Sequence, residues 1–303
     1  MLTLFFRLSL FYVAFSSTAL GQTNKIVVGT IESNFTEFKL DKRNPFIGVI
    51  HFYKDQNKWN VLSDSLYSSY QDFKVYYKGA KVGAVKAQAD TLTERSFNFP
   101  FPYKFYSNKI PRVGKKSRVF SGGGDEKCYR PLIISNSSYS RQKNIPRYRS
   151  PNRYDSLILA NYLLETAKEL NIGNLDSVKG TIIKKVNRAL VITKDCYLID
   201  ADINLNMYCY KDKVPFDTDL SYFMTSTQKY TISERRETNN SYFLVNKTKV
   251  TYIDYELKFL DSGDFDNDGY EEIVFRMDKY NYRGYIMVTD KWNNFLTNSW
   301  SYH

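Results

Sequence analysis

The sequence predicts a mainly β fold, a β-rich α+β arrangement of antiparallel sheets with one clear helix near residues 155–171. Aromatic residues make up 17% of the chain, with 26 Tyr and 21 Phe among 303 residues. Such side chains favour half-buried pleated surfaces, so the composition favours strands. Short apolar runs bounded by turn residues recur along the chain, which is the pattern of strands joined by tight turns.

Two β-hairpins are predicted in the N-terminal half. Apolar runs at 46–53 and 59–62 flank a polar turn, and runs at 73–77 and 82–85 flank a turn at 78–79. Runs joined in this way indicate antiparallel pairing. Further strand-like runs lie at 26–31, 180–192, 196–210, 242–245, 250–260, 272–276 and 284–288.

The predicted helix rests on apolar spacing. Leu157, Leu163 and Leu170 mark one face, which also carries alanines at helical intervals. Asp155 can act as N-cap, and Gly173 follows as a stop. We interpret this apolar face as core packing rather than as a binding surface.

Proline and glycine concentrate in the middle of the chain. Six prolines and a glycine triplet fall within residues 99–153, and such residues interrupt regular structure. We therefore predict a boundary near residue 150. The expected organisation is a signal peptide at 1–21, an N-terminal β-rich region at 22–150 with a basic loop segment at 103–153, and a C-terminal α+β region at 151–303.

The first 21 residues have the layout of a cleavable secretory signal peptide. Arg7 precedes an apolar run at 8–15, and the small residues Ala19 and Gly21 stand before an expected cleavage ahead of Gln22. The apolar run is shorter than the ~20 residues that a spanning helix needs, and no later stretch comes close to that length. We expect a secreted or periplasmic protein that does not span the membrane and has no nucleic acid among its partners.

Positive charge is concentrated in the basic loop segment. The chain carries a net charge of +11, and the segment at 103–153 contains thirteen Lys or Arg against two acids. An anionic polysaccharide or envelope surface would suit its arginines and neighbouring tyrosines. The candidate contacts are Arg141, Arg147, Arg149 and Arg153 with Tyr139, Tyr148 and Tyr154. A solvated basic loop is the simpler explanation, and the partner stays open.

The chain has three cysteines, Cys128, Cys196 and Cys209. Disulfides persist outside the cytosol. A hairpin would bring Cys196 and Cys209 together, so this spacing allows a disulfide between them. Cys128 would then be left over, either buried or free.

The clearest chemistry lies in the loop at 264–272. Carboxylates occupy positions 1, 3, 5 and 9 of this loop: Asp264, Asp266, Asp268 and Glu272. Calcium takes six to eight oxygen ligands, and alternate carboxylates converge when the backbone curls around the ion. Gly269 permits the sharp turn, and Tyr270 offers its backbone carbonyl at position 7. We therefore predict calcium as the cofactor, bound by these four carboxylates and by Tyr270.

The surroundings of this loop differ from those of an EF-hand. Position 12 is Phe275, where an EF-hand has Glu, and both flanks are strand-like. The strand–DxDxDGxxE–strand layout resembles a single integrin-type calcium repeat of the FG-GAP or VCBS kind, over residues 252–292. The resemblance implies a structural ion in a loop that joins strands of a β-propeller blade. A propeller-like C-terminus is therefore an open alternative, although only one good copy is present and Glu272 stands where Asp is more usual.

The sequence lacks the catalytic residues that several enzyme classes require. The only histidines are His51, inside an apolar strand-like run, and His303, so catalytic triads and zinc sites are disfavoured. The leading hypothesis is an exported, non-enzymatic binding or structural protein with a structural calcium loop and an unknown partner. The alternative is a carboxylate-based hydrolase of cell-surface polysaccharide with supporting calcium, which would need two carboxylates about 5–9 Å apart in a cleft.

Overall fold

The computed structural model describes residues 25–33, 35–36, 39–40, 46–62, 72–89, 102–105, 116–121, 124–129, 132–139, 147–169, 183–203, 240–279 and 282–301. In chain order the strands are β1 (Ile26–Ser33), β2 (Phe35–Thr36), β3 (Lys39–Leu40), β4 (Phe46–Asp55), β5 (Lys58–Val61), β6 (Asp72–Tyr77), β7 (Ala80–Ala89), β8 (Pro102–Phe105), β9 (Lys116–Ser121), β10 (Gly124–Tyr129), β11 (Leu132–Ser135), β12 (Arg147–Arg149), β13 (Ile183–Val191), β14 (Cys196–Ile203), β15 (Asn240–Asn246), β16 (Lys249–Tyr255), β17 (Leu257–Gly263), β18 (Glu272–Lys279), β19 (Tyr282–Thr289) and β20 (Asn294–Ser301). The helix α1 (Arg153–Glu169) lies between β12 and β13. The predicted signal peptide lies outside the described residues.

The mainly β prediction is confirmed, because the described chain forms antiparallel sheets with a single helix. A seven-stranded sheet has the order β1-β11-β6-β7-β8-β4-β5, with β4 also paired to β1. A five-stranded sheet has the order β12-β13-β14-β15-β16, and β17 to β20 form a four-stranded sheet in sequence order. Two further pairs, β2–β3 and β9–β10, stand alone. A propeller-like arrangement remains a prediction.

Both predicted hairpins are confirmed. Strand β4 pairs with β5, where Lys54 lies opposite Trp59, and β6 pairs with β7 around the turn at Gly79. Gly79 has a φ of 68°, a conformation that glycine adopts without steric cost. The hairpin β4–β5 reaches the acidic loop through Lys54 and Trp59.

The helix is confirmed with a corrected cap. It begins at Arg153, so the N-cap is Asn152 and Asp155 is the third helical residue. The Asn152 side chain accepts the Asp155 N–H at 3.1 Å, and the Asp155 carboxylate accepts the Asn152 N–H at 2.8 Å. This reciprocal pair is a capping box, which satisfies two backbone donors at once.

Two other expectations need correction. The segment at 103–153 was expected to be loop-rich, but β8 to β12 lie within or overlap it. Strand β11 is a fully buried inner strand that pairs with β1 and β6. The single run expected at 250–260 is divided into β16 and β17 at Glu256, whose φ of 54° interrupts the extended backbone.

The four-stranded sheet is packed on both faces. Ile273 and Phe275 share a core with Leu198 of the five-stranded sheet. Val274 faces the other way and shares a core with Phe52 of the seven-stranded sheet. Alternate residues of a strand point to opposite faces, so the apolar run in β18 serves two cores at once.

The helix α1 covers the remaining face of the five-stranded sheet. Leu159 and Leu163 pack there with Ile199 and Phe243. Leu163 is therefore a core residue as predicted, but Leu157 is 55% exposed and the buried face includes Leu159, which the prediction left out. Leu170 and Gly173 lie outside the described residues. Among the described residues, no helix combines the length and the hydropathy needed to cross a membrane.

Candidate metal site

The predicted carboxylates converge in the loop between β17 and β18. One ligand oxygen from each of Asp264, Asp266 and Asp268 lies within 4.8 Å of the others. Asp264 is buried, Asp266 has a buried side chain on a partly exposed backbone, and Asp268 is exposed. This Asp-rich cluster can hold a metal ion with one side towards the protein and the other towards solvent.

The carboxylates themselves shape the turn. The Asp268 N–H donates to Asp264 Oδ1 at 2.9 Å and to Asp266 Oδ1 at 3.0 Å. The Gly269 N–H donates to Asp264 Oδ2 at 2.9 Å. Asn267 and Gly269 have φ values of 60° and 90°, the left-handed region that Asn and Gly tolerate best. The loop backbone therefore curls around the carboxylates of Asp264 and Asp266, which accept its N–H groups.

Glu272, the predicted closing ligand, begins β18 and is 2% exposed. Its Oε2 atom accepts the Phe265 N–H at 2.9 Å. Burial, with the nearby charge of Asp266 next in importance, raises the pKa of Glu272 to about 9. Burial likewise raises the pKa of Asp264, against the opposing effect of its two backbone donors. A bound cation would favour the ionised form of both groups.

Two residues of the hairpin β4–β5 reach Asp266. The Lys54 ammonium forms an ion pair with Asp266 Oδ2, and the Trp59 indole donates to the same oxygen at 3.0 Å. The Asp266 side chain is only 1% exposed as a result. On the other side of the loop, the Asn267 amide donates to the Ser138 carbonyl at 3.3 Å. Sequence reasoning did not find these contacts, since the partners lie more than 100 residues away.

Tyr270 lies at the exposed rim of the loop. Its ring is 37% exposed and meets Trp292 edge-on with ring centroids 5.7 Å apart. The Trp292 indole donates to the Glu271 carbonyl at 2.8 Å. Trp292 is the last of three successive residues with φ values of 53°, 57° and 66°, and this left-handed turn places its indole at the loop exit. The role of the Tyr270 carbonyl as a ligand stays a prediction.

A second acidic pair, Asp261 and Glu271, lies buried beneath the loop. Asp261 accepts the N–H groups of Gly79 and Ser262, both at 3.0 Å. Glu271 Oε2 accepts the Ser262 hydroxyl at 2.9 Å. Burial raises the pKa of Glu271 to about 7, with the hydroxyl of Ser262 opposing that effect. Both acids therefore accept hydrogen bonds from neighbouring groups. This buried pair was not identified from the sequence, and the concentration of acidic residues at 261–272 was the one sequence feature that could have pointed to it.

Two of the candidate polyanion contacts have partners within the protein. Tyr139 is 7% exposed and packs on Tyr76 with ring centroids 4.0 Å apart. Arg149 forms two 2.6 Å hydrogen bonds with the buried Asp155 carboxylate, which also raise the pKa of Arg149. These two residues therefore contribute to the core and to the helix start.

The other described candidates are exposed. Tyr148 and Tyr154 are exposed by 53% and 52%, and Arg153 is exposed at the helix start. Tyr148 faces away from its neighbour Arg149, since successive strand residues point to opposite sides, and the Arg188 guanidinium lies 4.9 Å from its ring centroid. Arg141 and the Arg147 side chain lie outside the described residues.

The structure gives Cys196 a free thiol. Cys196 is fully buried, and burial raises the pKa of its thiol to about 12. Cys209 and the side chain of Cys128 lie outside the described residues. With Cys196 free, its predicted disulfide with Cys209 is not formed in this structure, and its formation under oxidising conditions stays a prediction.

His51 is a buried strand residue. Its Nε2 atom lies 2.9 Å from the Thr30 hydroxyl, and its ring stacks on Tyr285 with centroids 4.1 Å apart. Burial lowers the pKa of His51 from 6.5 to about 3, so the ring is neutral at physiological pH. This is the environment of a structural histidine.

The site that emerges is an acidic loop closed by a buried glutamate and covered by a lysine and a tryptophan from another sheet. Comparison with protein-family models finds no match. Searches of the curated proteins and of the solved structures also find no match.

Proposed function

We propose that the chain is an exported, non-enzymatic binding or structural protein whose acidic loop holds a structural calcium ion. The convergence of three aspartate oxygens within 4.8 Å carries the proposal. The proposed ligands are carboxylate oxygens of Asp264, Asp266, Asp268 and Glu272, with the Tyr270 carbonyl. The resemblance to an integrin-type calcium repeat supports the same reading, and the leader-like first 21 residues support export.

Calcium fits this donor set better than other common ions. Every proposed ligand is an oxygen, and calcium prefers oxygen donors and tolerates irregular coordination. Magnesium demands a near-octahedral shell, and zinc favours nitrogen or sulfur. Calcium sites of extracellular modules have dissociation constants of about 10⁻⁴–10⁻³ M, which suits a half-open loop in an exported protein.

The ion would have a structural role because of where the loop lies. The loop joins β17 to β18, and both strands contribute residues to the core shared with the seven-stranded sheet. Clustered carboxylates repel one another, most strongly where the effective dielectric constant is low. A bound cation would relieve this repulsion and stabilise the junction of the two sheets.

Thermal unfolding with and without calcium tests the proposal. At a calcium concentration ten times the dissociation constant, linkage adds about 1.4 kcal/mol to the free energy of unfolding. That corresponds to a rise in Tm of roughly 2–3 °C for a cooperative unit of about 280 residues. Asp268→Asn should abolish the shift, whereas Asp72→Asn, an exposed site paired with Lys86 at 3.9 Å, should retain it. An unchanged Tm for the parent protein at 10 mM calcium would refute the calcium site.

The hydrolase alternative has no specific observation in its favour among the described carboxylates. Glu271 has a raised pKa, but it is 4% exposed and accepts a hydrogen bond from Ser262. Its neighbour Asp261 is 3% exposed. A polysaccharide would have no access to either acid in this structure.

A further inference from the structure

The seven-stranded sheet places a lysine ammonium group against the acidic loop. Lys54 lies on β4, 212 residues before Asp266, and its ammonium sits on Asp266 Oδ2. The Lys54 side chain is 14% exposed. A lysine ammonium held on a largely buried carboxylate shows that this part of the loop accepts a positive charge.

Both carboxylate oxygens of Asp266 are already engaged. Oδ1 accepts the Asp268 N–H at 3.0 Å. Oδ2 accepts both the Lys54 ammonium and the Trp59 indole. A divalent ion bound through Asp266 would therefore share this carboxylate with a lysine, and two positive charges on one carboxylate repel each other.

The two donors from the hairpin differ in their freedom to move. Trp59 is 1% exposed and belongs to the core shared by the two sheets, so displacement of its indole would disrupt packing. Lys54 has a long flexible side chain with three rotatable donors. The lysine is therefore the group that can leave when another cation arrives.

We propose that Lys54 is a built-in competitor of the divalent cation, a tethered counter-ion that occupies Asp266 until the cation displaces it. This inference rests on the proposed function, because it describes the regulation of the same site. Lys54 partly neutralises the loop in the cation-free protein and weakens cation binding. Displacement of Lys54 leaves Trp59 as the remaining contact of the hairpin β4–β5 with Asp266. The contacts of the hairpin therefore change when a cation binds in the loop.

Calorimetric titration of the mature chain with calcium chloride tests the competition. Lys54→Gln removes the charge but keeps an N–H donor, and it should bind calcium about tenfold more tightly, as expected for loss of one repelling charge near the site. Lys54→Arg keeps the charge and should bind like the parent protein. Lys58→Gln is the matched control, since Lys58 is an exposed lysine of the same hairpin, and it should also bind like the parent.

The outcomes separate the two proposals. If the parent protein binds calcium and Lys54→Gln binds it equally or more weakly, the competition is refuted and the calcium site stands. If neither the parent protein nor any variant binds calcium, the calcium site is refuted, and the competition with it.

A measurement on the parent protein does not require any variant to bind calcium. The Trp59 indole N–H should shift in the proton–nitrogen spectrum when calcium is added, because its acceptor changes partners. Trp300, which stacks near His51 instead of the loop, serves as the internal reference, and Trp59→Phe assigns the signal. A Trp59 signal that stays unchanged while calcium binds would overturn the link between the loop and the hairpin.

Discussion

The buried neutral His51 should make the protein less stable in mild acid. Its pKa is lowered from 6.5 to about 3 by burial, and the residue is 1% exposed. Below pH 6.5 the His51 side chain becomes protonated in the unfolded chain but stays neutral in the folded protein. The stability contributed by the neutral ring is therefore complete above pH 6.5 and is lost as the pH falls towards 3.

The magnitude follows from linkage. One pKa unit corresponds to 1.36 kcal/mol, and the interval from pH 6.5 to pH 5 spans 1.5 units. His51 should therefore lower the free energy of unfolding by about 2 kcal/mol over this interval. This figure does not depend on the folded pKa of His51, provided that it lies well below 5.

Urea unfolding of the parent protein and of His51→Gln at pH 7 and pH 5 measures this contribution. Other groups titrate in both proteins, so the difference between the two pH dependences isolates His51. The parent should lose about 2 kcal/mol more than the variant between the two pH values. The chain has only two histidines, so the imidazole signals of the folded protein can be followed directly. Equal pH dependences, or a His51 signal that titrates near pH 6.5, would refute the reasoning.

Two packing predictions follow from contacts near the loop and the helix. A Cβ at Gly263 would lie 2.5 Å from the Tyr139 ring, so Gly263→Ala should lower the free energy of unfolding by about 1–3 kcal/mol, measured with urea. Adding Tyr139→Leu to this variant should restore part of the lost stability. An unchanged stability of Gly263→Ala would contradict this packing. Asp155 is fully buried and paired with Arg149, so Arg149→Met should cost about 3–5 kcal/mol by leaving a buried carboxylate without its cation. Exposed Lys194→Met is the control for that change, and equal stabilities would show that the ion pair contributes nothing.

Short-range features were predicted well because local spacing determines them. Apolar runs and polar turns identified both N-terminal hairpins, and helical spacing identified α1. The alternate acids at 264–268 come together because a few turn residues curl the backbone around them. The cap was misassigned by three residues, since Asn152 and Asp155 are both good capping residues and only the hydrogen bonds distinguish them.

Other features required knowledge of the packing. Tyr139 and Arg149 belong to a basic, proline-rich stretch, which is typical of an exposed loop. The structure instead buries Tyr139 against Phe265, with ring centroids 4.6 Å apart, and pairs Arg149 with the helix start. Composition cannot show which side chains of such a stretch fold back onto a core.

The sequence by itself determined the strand-rich fold class, the helix and the spacing of carboxylates that makes a cation loop credible. These depend on periodicity and on turn residues within about a dozen positions. Only the tertiary structure decided that Glu272 is buried, that Asp268 faces solvent and that Lys54 and Trp59 meet Asp266. Those facts arise from two sheets packing face to face, and burial and electrostatics depend on which distant residues that packing brings into contact.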